Sequence, residues 1–125
     1  MEFSLENLGY HIICEAEKCN SDILNNEIKM VDIMLRACIE GGAGVLGHVS
    51  HKFDPQGVTV TVALSESHAC IHSWPEFGVA TLDIYTCGST VEPHKILSII
   101  LAEIECQKPH VKNFNRGIPN SSFLP

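Results

Sequence analysis

The clearest pattern in the chain is a period-two run. Val58, Val60, Val62 and Leu64 alternate with Thr59, Thr61 and Ala63, which is the signature of a half-buried strand. Val45 to Phe53 precedes it, across the turn residues Asp54-Pro55-Gln56-Gly57, so the two runs predict a hairpin. Further strands are predicted at Gly9 to Ala16, from about Ala69 to Ser73, at Val79 to Cys87 and at His110 to Arg116. Helical spacing stands out twice. Ile28, Val31, Leu35 and Cys38, with Met30, Met34 and Ala37 beside them, follow the polar break Asn20-Ser21-Asp22 and stop at Gly41-Gly42. Ile96, Ile100 and Ile104, with Leu97 and Ile99, follow Ser89-Thr90-Val91-Glu92, which reads as a capping box before Pro93. Pro109 ends that helix, and Gly117 to Pro125 reads as a tail. This order predicts an α+β fold, a two-layer sandwich of a mostly antiparallel sheet with two helices on one face.

Composition narrows the class. A chain of 125 residues that is 45% apolar suits one domain, 1–125, with a modest core. A second copy covering the bare sheet face would enlarge it. The net charge of −7, with scattered Lys and Arg and no basic stripe, speaks against nucleic acid as a partner. Met1-Glu2-Phe3-Ser4 carries no signal-peptide character, and no apolar run is long enough to span a bilayer, so no membrane association and a cytoplasmic location are expected. The six cysteines, at 14, 19, 38, 70, 87 and 106, form no CxxC pair and are expected as reduced thiols. Cys14, Cys38 and Cys106 fall in apolar patterns and are expected to act as packing residues.

The chemistry concentrates in Glu66-Ser67-His68-Ala69-Cys70-Ile71-His72-Ser73-Trp74-Pro75-Glu76, followed by Thr86-Cys87-Gly88. A serine between an acid and an imidazole could be a nucleophile, but the flanks Glu66 and His68 do not make a Gly-x-Ser-x-Gly elbow. On composition alone a turn serine and a packed strand histidine are the plainer readings.

The wider pattern changes that balance. Glu-Ser-His, Ile-His, Trp-Pro-Glu and Thr-Cys-Gly, together with Gly9, His11, Phe53, Pro55, Gly57-Val58 and Arg116-Gly117-Ile118, resemble the small prokaryotic type of S-adenosylmethionine decarboxylase proenzyme. The resemblance implies self-cleavage between Glu66 and Ser67 into pieces 1–66 and 67–125, and conversion of Ser67 to a covalent pyruvoyl cofactor. His72 matches the processing base and Cys87 the catalytic proton donor. Thr59 stands where the family normally carries a serine that assists processing. Phe53, Trp74 and Glu76 match the pocket for the substrate, S-adenosylmethionine, on the route to spermidine. A homodimer of cleaved protomers and the absence of a metal are also implied. Cys70 falls where the family tolerates varied residues and reads as packing.

Three other readings use the same residues. Related pyruvoyl enzymes act on arginine or ornithine. A catalytically inactive member could serve as a partner subunit. Finally, His68, Cys70 and His72 lie on one side of a strand, and with Cys87 they would make a zinc site.

Overall fold

A computed structural model of the chain describes residues 5–118. The strands are β1 (Gly9–Glu17), β2 (Val45–Lys52), β3 (Val58–Leu64), β4 (Ser67–Trp74), β5 (Val79–Thr86) and β6 (Lys108–Arg116). They form one antiparallel sheet in the order β2-β3-β4-β5-β1-β6. Three helices, α1 (Ser21–Leu24), α2 (Glu27–Glu40) and α3 (Pro93–Glu103), cover one face. The core fills the space between the layers. Val58, Val60, Val62, Ala69, Ile71, Leu82 and Ile84 of the sheet meet Met30, Ile33, Met34, Ile96 and Ile100 of the helices. The expected α+β sandwich is therefore present, with a short third helix. No helix among the described residues is long and apolar enough to cross a membrane.

The helices depart from the sequence reading in three ways. Asn20 caps α1 through Ile23 N, and Asn26 caps α2 through Lys29 N at 3.0 Å, so the polar break belongs to a separate turn of helix. The cap at Asn26 sets the phase of α2. Its buried stripe runs through Met30, Ile33, Met34, Ala37 and Cys38, while Ile28 is 85% exposed. The predicted stripe through Ile28, Val31 and Leu35 lies along the flank. The capping box is not formed either. Glu92 is the N-cap of α3 and makes no side-chain cap bond, and Pro93 with its fixed φ starts the helix. Pro109 stands inside β6, an edge strand that tolerates the missing donor. The predicted tail lies outside the described residues beyond Ile118.

The junction of α2 and β2 explains the paired glycines. Gly41 closes α2 so near to α3 that an added Cβ would strike Ile96. Gly42 has φ +87°, and a Cβ there would meet Thr90 O at 2.8 Å.

Among the described residues, no helix lies on the opposite face of the sheet. His11, Ile13, Thr59, Thr61, His68, Cys70, His72, Thr81, Asp83 and Tyr85 stand on it by strand alternation. Val49 (73% exposed) and Ile13 (37%) leave apolar surface there.

Candidate active site

Ser65 and Glu66 form a two-residue turn between β3 and β4, and Ser67 is the first residue of β4. Ser67 has φ +141°, a region that a residue with a side chain enters at a cost of about 1–3 kcal/mol. The turn is clasped by Gly44. Its N–H donates to Glu66 Oε1 at 3.0 Å, and its carbonyl accepts from Ser65 N at 2.8 Å. The approach is so close that a Cβ on Gly44 would strike Ser65 Oγ.

The carbonyl of Glu66, at the 66–67 bond, points to Cys87. The Cys87 N–H donates to it at 3.0 Å and the thiol at 3.2 Å. Two donors aimed at one peptide oxygen polarise its carbonyl and would hold an oxyanion formed there. The position follows from register: Ser67 pairs with Thr86 on β5, so the residue after Thr86 falls beside Glu66. The sequence reading gave Cys87 only a role as proton donor to carbon. The second contact needs the register and could not be read from spacing.

A separate group of residues gathers at the other end of β4. Thr59 and His72 are register partners, and Thr59 Oγ1 lies 2.9 Å from His72 Nδ1. Beside them a pocket of about 360 Å³ is lined by Phe53, Gln56, Thr59, His72, Trp74 and Glu76, among others. Its floor is fixed by Ser73, which donates to Leu24 O at 2.7 Å and accepts from Val58 N at 3.0 Å. Gly57 has φ +110° and donates to Asn25 Oδ1 at 2.9 Å. The His51 ring stands edge-on to Phe53, with centroids 4.5 Å apart.

The sequence-predicted residues thus fall into two sets. Glu66, Ser67 and Cys87 occupy the start of β4. Phe53, Thr59, His72, Trp74 and Glu76 occupy its end. Ser67 and His72 are five residues apart on one strand, or about 16 Å at ~3.3 Å per residue. Within one chain, the matched base does not reach the matched serine.

The zinc reading fares less well. His68 and His72 lie four residues apart on an extended strand, about 13 Å at ~3.3 Å per residue, too far to share one ion. His72 is bonded to Thr59 and Cys87 to Glu66. Among the described residues, the metal-capable cluster is a different one, His11, His68 and Asp83, whose ligand atoms lie within 4.8 Å of one another. All six cysteines are free.

Comparison with known proteins gives one answer. The profile of the S-adenosylmethionine decarboxylase family matches residues 10–117. The S-adenosylmethionine decarboxylase proenzyme of Syntrophomonas wolfei is 47% identical over 114 residues, covering 91% of this chain and 90% of its own. The proenzyme of Thermococcus onnurineus is 43% identical over 114 residues, covering 91% and 81%. The crystal structure of the adenosylmethionine decarboxylase from Aquifex aeolicus superposes with a TM-score of 0.85 at 26% identity, covering 96% of this chain and 99% of that one. The two-layer α+β sandwich is thus the fold of a decarboxylase. The chain belongs to the S-adenosylmethionine decarboxylase family, and with it is a decarboxylase.

Proposed function

We propose that the chain is a proenzyme that cuts itself between Glu66 and Ser67 and then decarboxylates S-adenosylmethionine, supplying the aminopropyl donor for spermidine in the cytoplasm. The observation that carries the reading is the convergence of the Cys87 N–H and S–H on Glu66 O, beside a Ser67 at φ +141°. Ser67 Oγ adds to the polarised carbonyl, the 66–67 C–N bond breaks, and an ester links the two pieces. Loss of the Cα proton of residue 67 then expels the Glu66 carboxylate. Water replaces nitrogen, which leaves as ammonia, and residue 67 becomes a pyruvoyl group. The pieces are 1–66 and 67–125.

The residues present fit such a group. Its carbonyl would supply the electron sink for decarboxylation. Cys87 stands at that point with a thiol able to return a proton to carbon. Phe53 and Trp74 offer aromatic faces to an adenine and a sulfonium, and Glu76 offers a carboxylate to ribose hydroxyls. Arginine or ornithine would leave those faces unused.

The separation of the two sets along β4 gives the reading a further requirement. His72, paired with Thr59, must reach Ser67 of another molecule. We infer a homodimer in which the bare sheet faces pack together about a two-fold axis that reverses strand direction, so that the end of one β4 meets the start of the other. Each site then takes Ser67 and Cys87 from one protomer and Thr59, His72, Phe53, Trp74 and Glu76 from its partner. Co-expression of differently tagged Ser67→Ala and His72→Ala chains tests this. Each homodimer should stay intact. In the mixed dimer, the His72→Ala chain should be cut by the imidazole of the Ser67→Ala chain. If neither chain is cut in the mixture, the shared site is wrong; if the parent chain also stays intact on long incubation, self-cleavage itself is wrong.

A further inference from the structure

Four polar side chains on the bare face have no catalytic or substrate-binding role in this reading, yet they meet one another across four strands. Asp83 on β5 accepts from two imidazoles through the same oxygen. His11 Nε2 on β1 is one partner, and His68 Nε2 on β4 is the other, at 3.3 Å. Arg116 Nη1 on β6 lies 3.4 Å from His11 Nδ1. The guanidinium also sits over the Tyr85 ring at 4.7 Å, and both imidazoles flank that ring, at 5.2 and 5.8 Å.

Donor polarity decides what this cluster is for. A guanidinium only donates, so His11 Nδ1 is the acceptor and the His11 proton is on Nε2, directed at Asp83. A cation held by His11, His68 and Asp83 would need the Nε2 lone pair of His11. It would then turn a protonated Nδ1 against the guanidinium, whereas ligating histidines donate that proton to an acceptor. The cluster is therefore polarised as a hydrogen-bond network in which the carboxylate gathers two N–H donors.

We propose that Asp83 is a positioning residue for self-cleavage that acts through His68, with His11 and Arg116 holding the carboxylate in place; this rests on the reading of Ser67 as the cleavage residue. The strained residue needs its neighbours fixed on both sides. Upstream, Gly44 holds the Glu66 carboxylate and Cys87 holds its carbonyl. Downstream, His68 carries the backbone nitrogen bonded to residue 67. Strand pairing with Tyr85 fixes that backbone on one side. Asp83 ties down the side chain as a diagonal cross-strand partner, two residues from Tyr85. His11, the partner of Tyr85 on the opposite side, reaches the same oxygen along the mirrored diagonal. The result is a brace across β4, β5 and β1, against which the turn can be held bent.

The test measures cleavage and turnover separately. Cleavage is followed by intact mass, and carbon dioxide release is normalised to the number of cleaved chains. Asp83→Ala should slow cleavage at least tenfold, while Asp83→Asn, which keeps an oxygen acceptor, recovers part of it. His11→Gln, which can accept from Arg116 and donate to Asp83, should cleave faster than His11→Leu. Turnover per cleaved chain should stay within threefold of the parent in all four, because the bond that needed bending is gone. Nitrogen-15 imidazole spectra of the Ser67→Ala protein should show His11 and His68 protonated at Nε2, and His68 should lose that preference when Asp83→Ala is added. Cleavage of Asp83→Ala within twofold of the parent overturns the proposal, as does a His11 protonated at Nδ1. If Asp83→Ala does not fold, the His11 pair decides: equal rates for Gln and Leu overturn it. A parent chain that never cleaves instead overturns the reading of Ser67.

Discussion

Cys87 makes two contacts with one oxygen, and they can be separated by substitution. Cys87→Ala keeps the backbone N–H on Glu66 O and loses the thiol. Removing one donor from an oxyanion site costs roughly a hundredfold or more in rate, so cleavage of Cys87→Ala should slow by about that factor without being abolished. Cys87→Ser restores an O–H donor and should cleave faster than Cys87→Ala, yet both should release little carbon dioxide. Gel densitometry against time reads the first effect and labelled carbon dioxide the second; equal cleavage by Ala and parent would remove the thiol from this role. At this scale the sequence was partly legible. Glu66, Ser67, His72 and Cys87 stand in one short motif whose spacing is specific. Gly44 and Asp83 do not, and His11 and Arg116 enter the sequence reading only as part of the wider resemblance, without a role, because what each of them touches is set by pairing between distant stretches of chain.

α2 shows how an element can be found correctly and turned wrongly. Its apolar residues predict a helix, and one forms, but the Asn26 cap rotates the buried stripe onto Met30, Ile33, Met34 and Ala37. The choice between stripes is measurable. Met34→Ala should cost about 2–5 kcal/mol in urea unfolding, as large-to-small changes in a core do. Ile28→Ala, at a residue 85% exposed, should stay within about 0.5 kcal/mol. The reverse order would restore the stripe read from spacing. Strands were easier, since alternation alone fixes which side is buried. Caps were harder: Asn20 and Asn26 each close a helix, and six residues cannot reveal which cap serves which.

The whole molecule adds what no segment carries. Sheet order places β1 between β5 and β6, so the bare face draws on all six strands, the first and the last side by side. Light scattering of the purified protein should report about twice 13.7 kDa, and a monomer at micromolar concentration would leave the inferred shared site without its second half. Burial also sets an alkaline limit. It pushes the Cys38 thiol up to about 11 from 9.0, and does the same to Cys14 with the help of nearby Cys106. The unfolded chain loses these protons first. Their contribution is therefore complete below pH 9 and falls as pH rises towards 11. Urea midpoints at pH 8 and 10 should show this decline, and Cys38→Ala should make it shallower; an unchanged slope would mean that the thiol is not shielded.

The strand order has a last consequence. A cut after Glu66 severs only a two-residue connection, and every ladder in the sheet survives it. The first piece keeps β1, β2 and β3, and the second keeps β4, β5 and β6. Because β1 lies between β5 and β6, the halves are interlocked like the teeth of a zip, and separating them means breaking three ladders at once. Folding begins as a one-body event, but a matured molecule that unfolds has lost that route. Its halves must find each other by diffusion, each with exposed strand edges that pair as readily with strangers. Recovery after denaturation should thus be complete for Ser67→Ala and dependent on concentration for the cut pair, and the proposed cleavage would then be a step that the fold passes in one direction only.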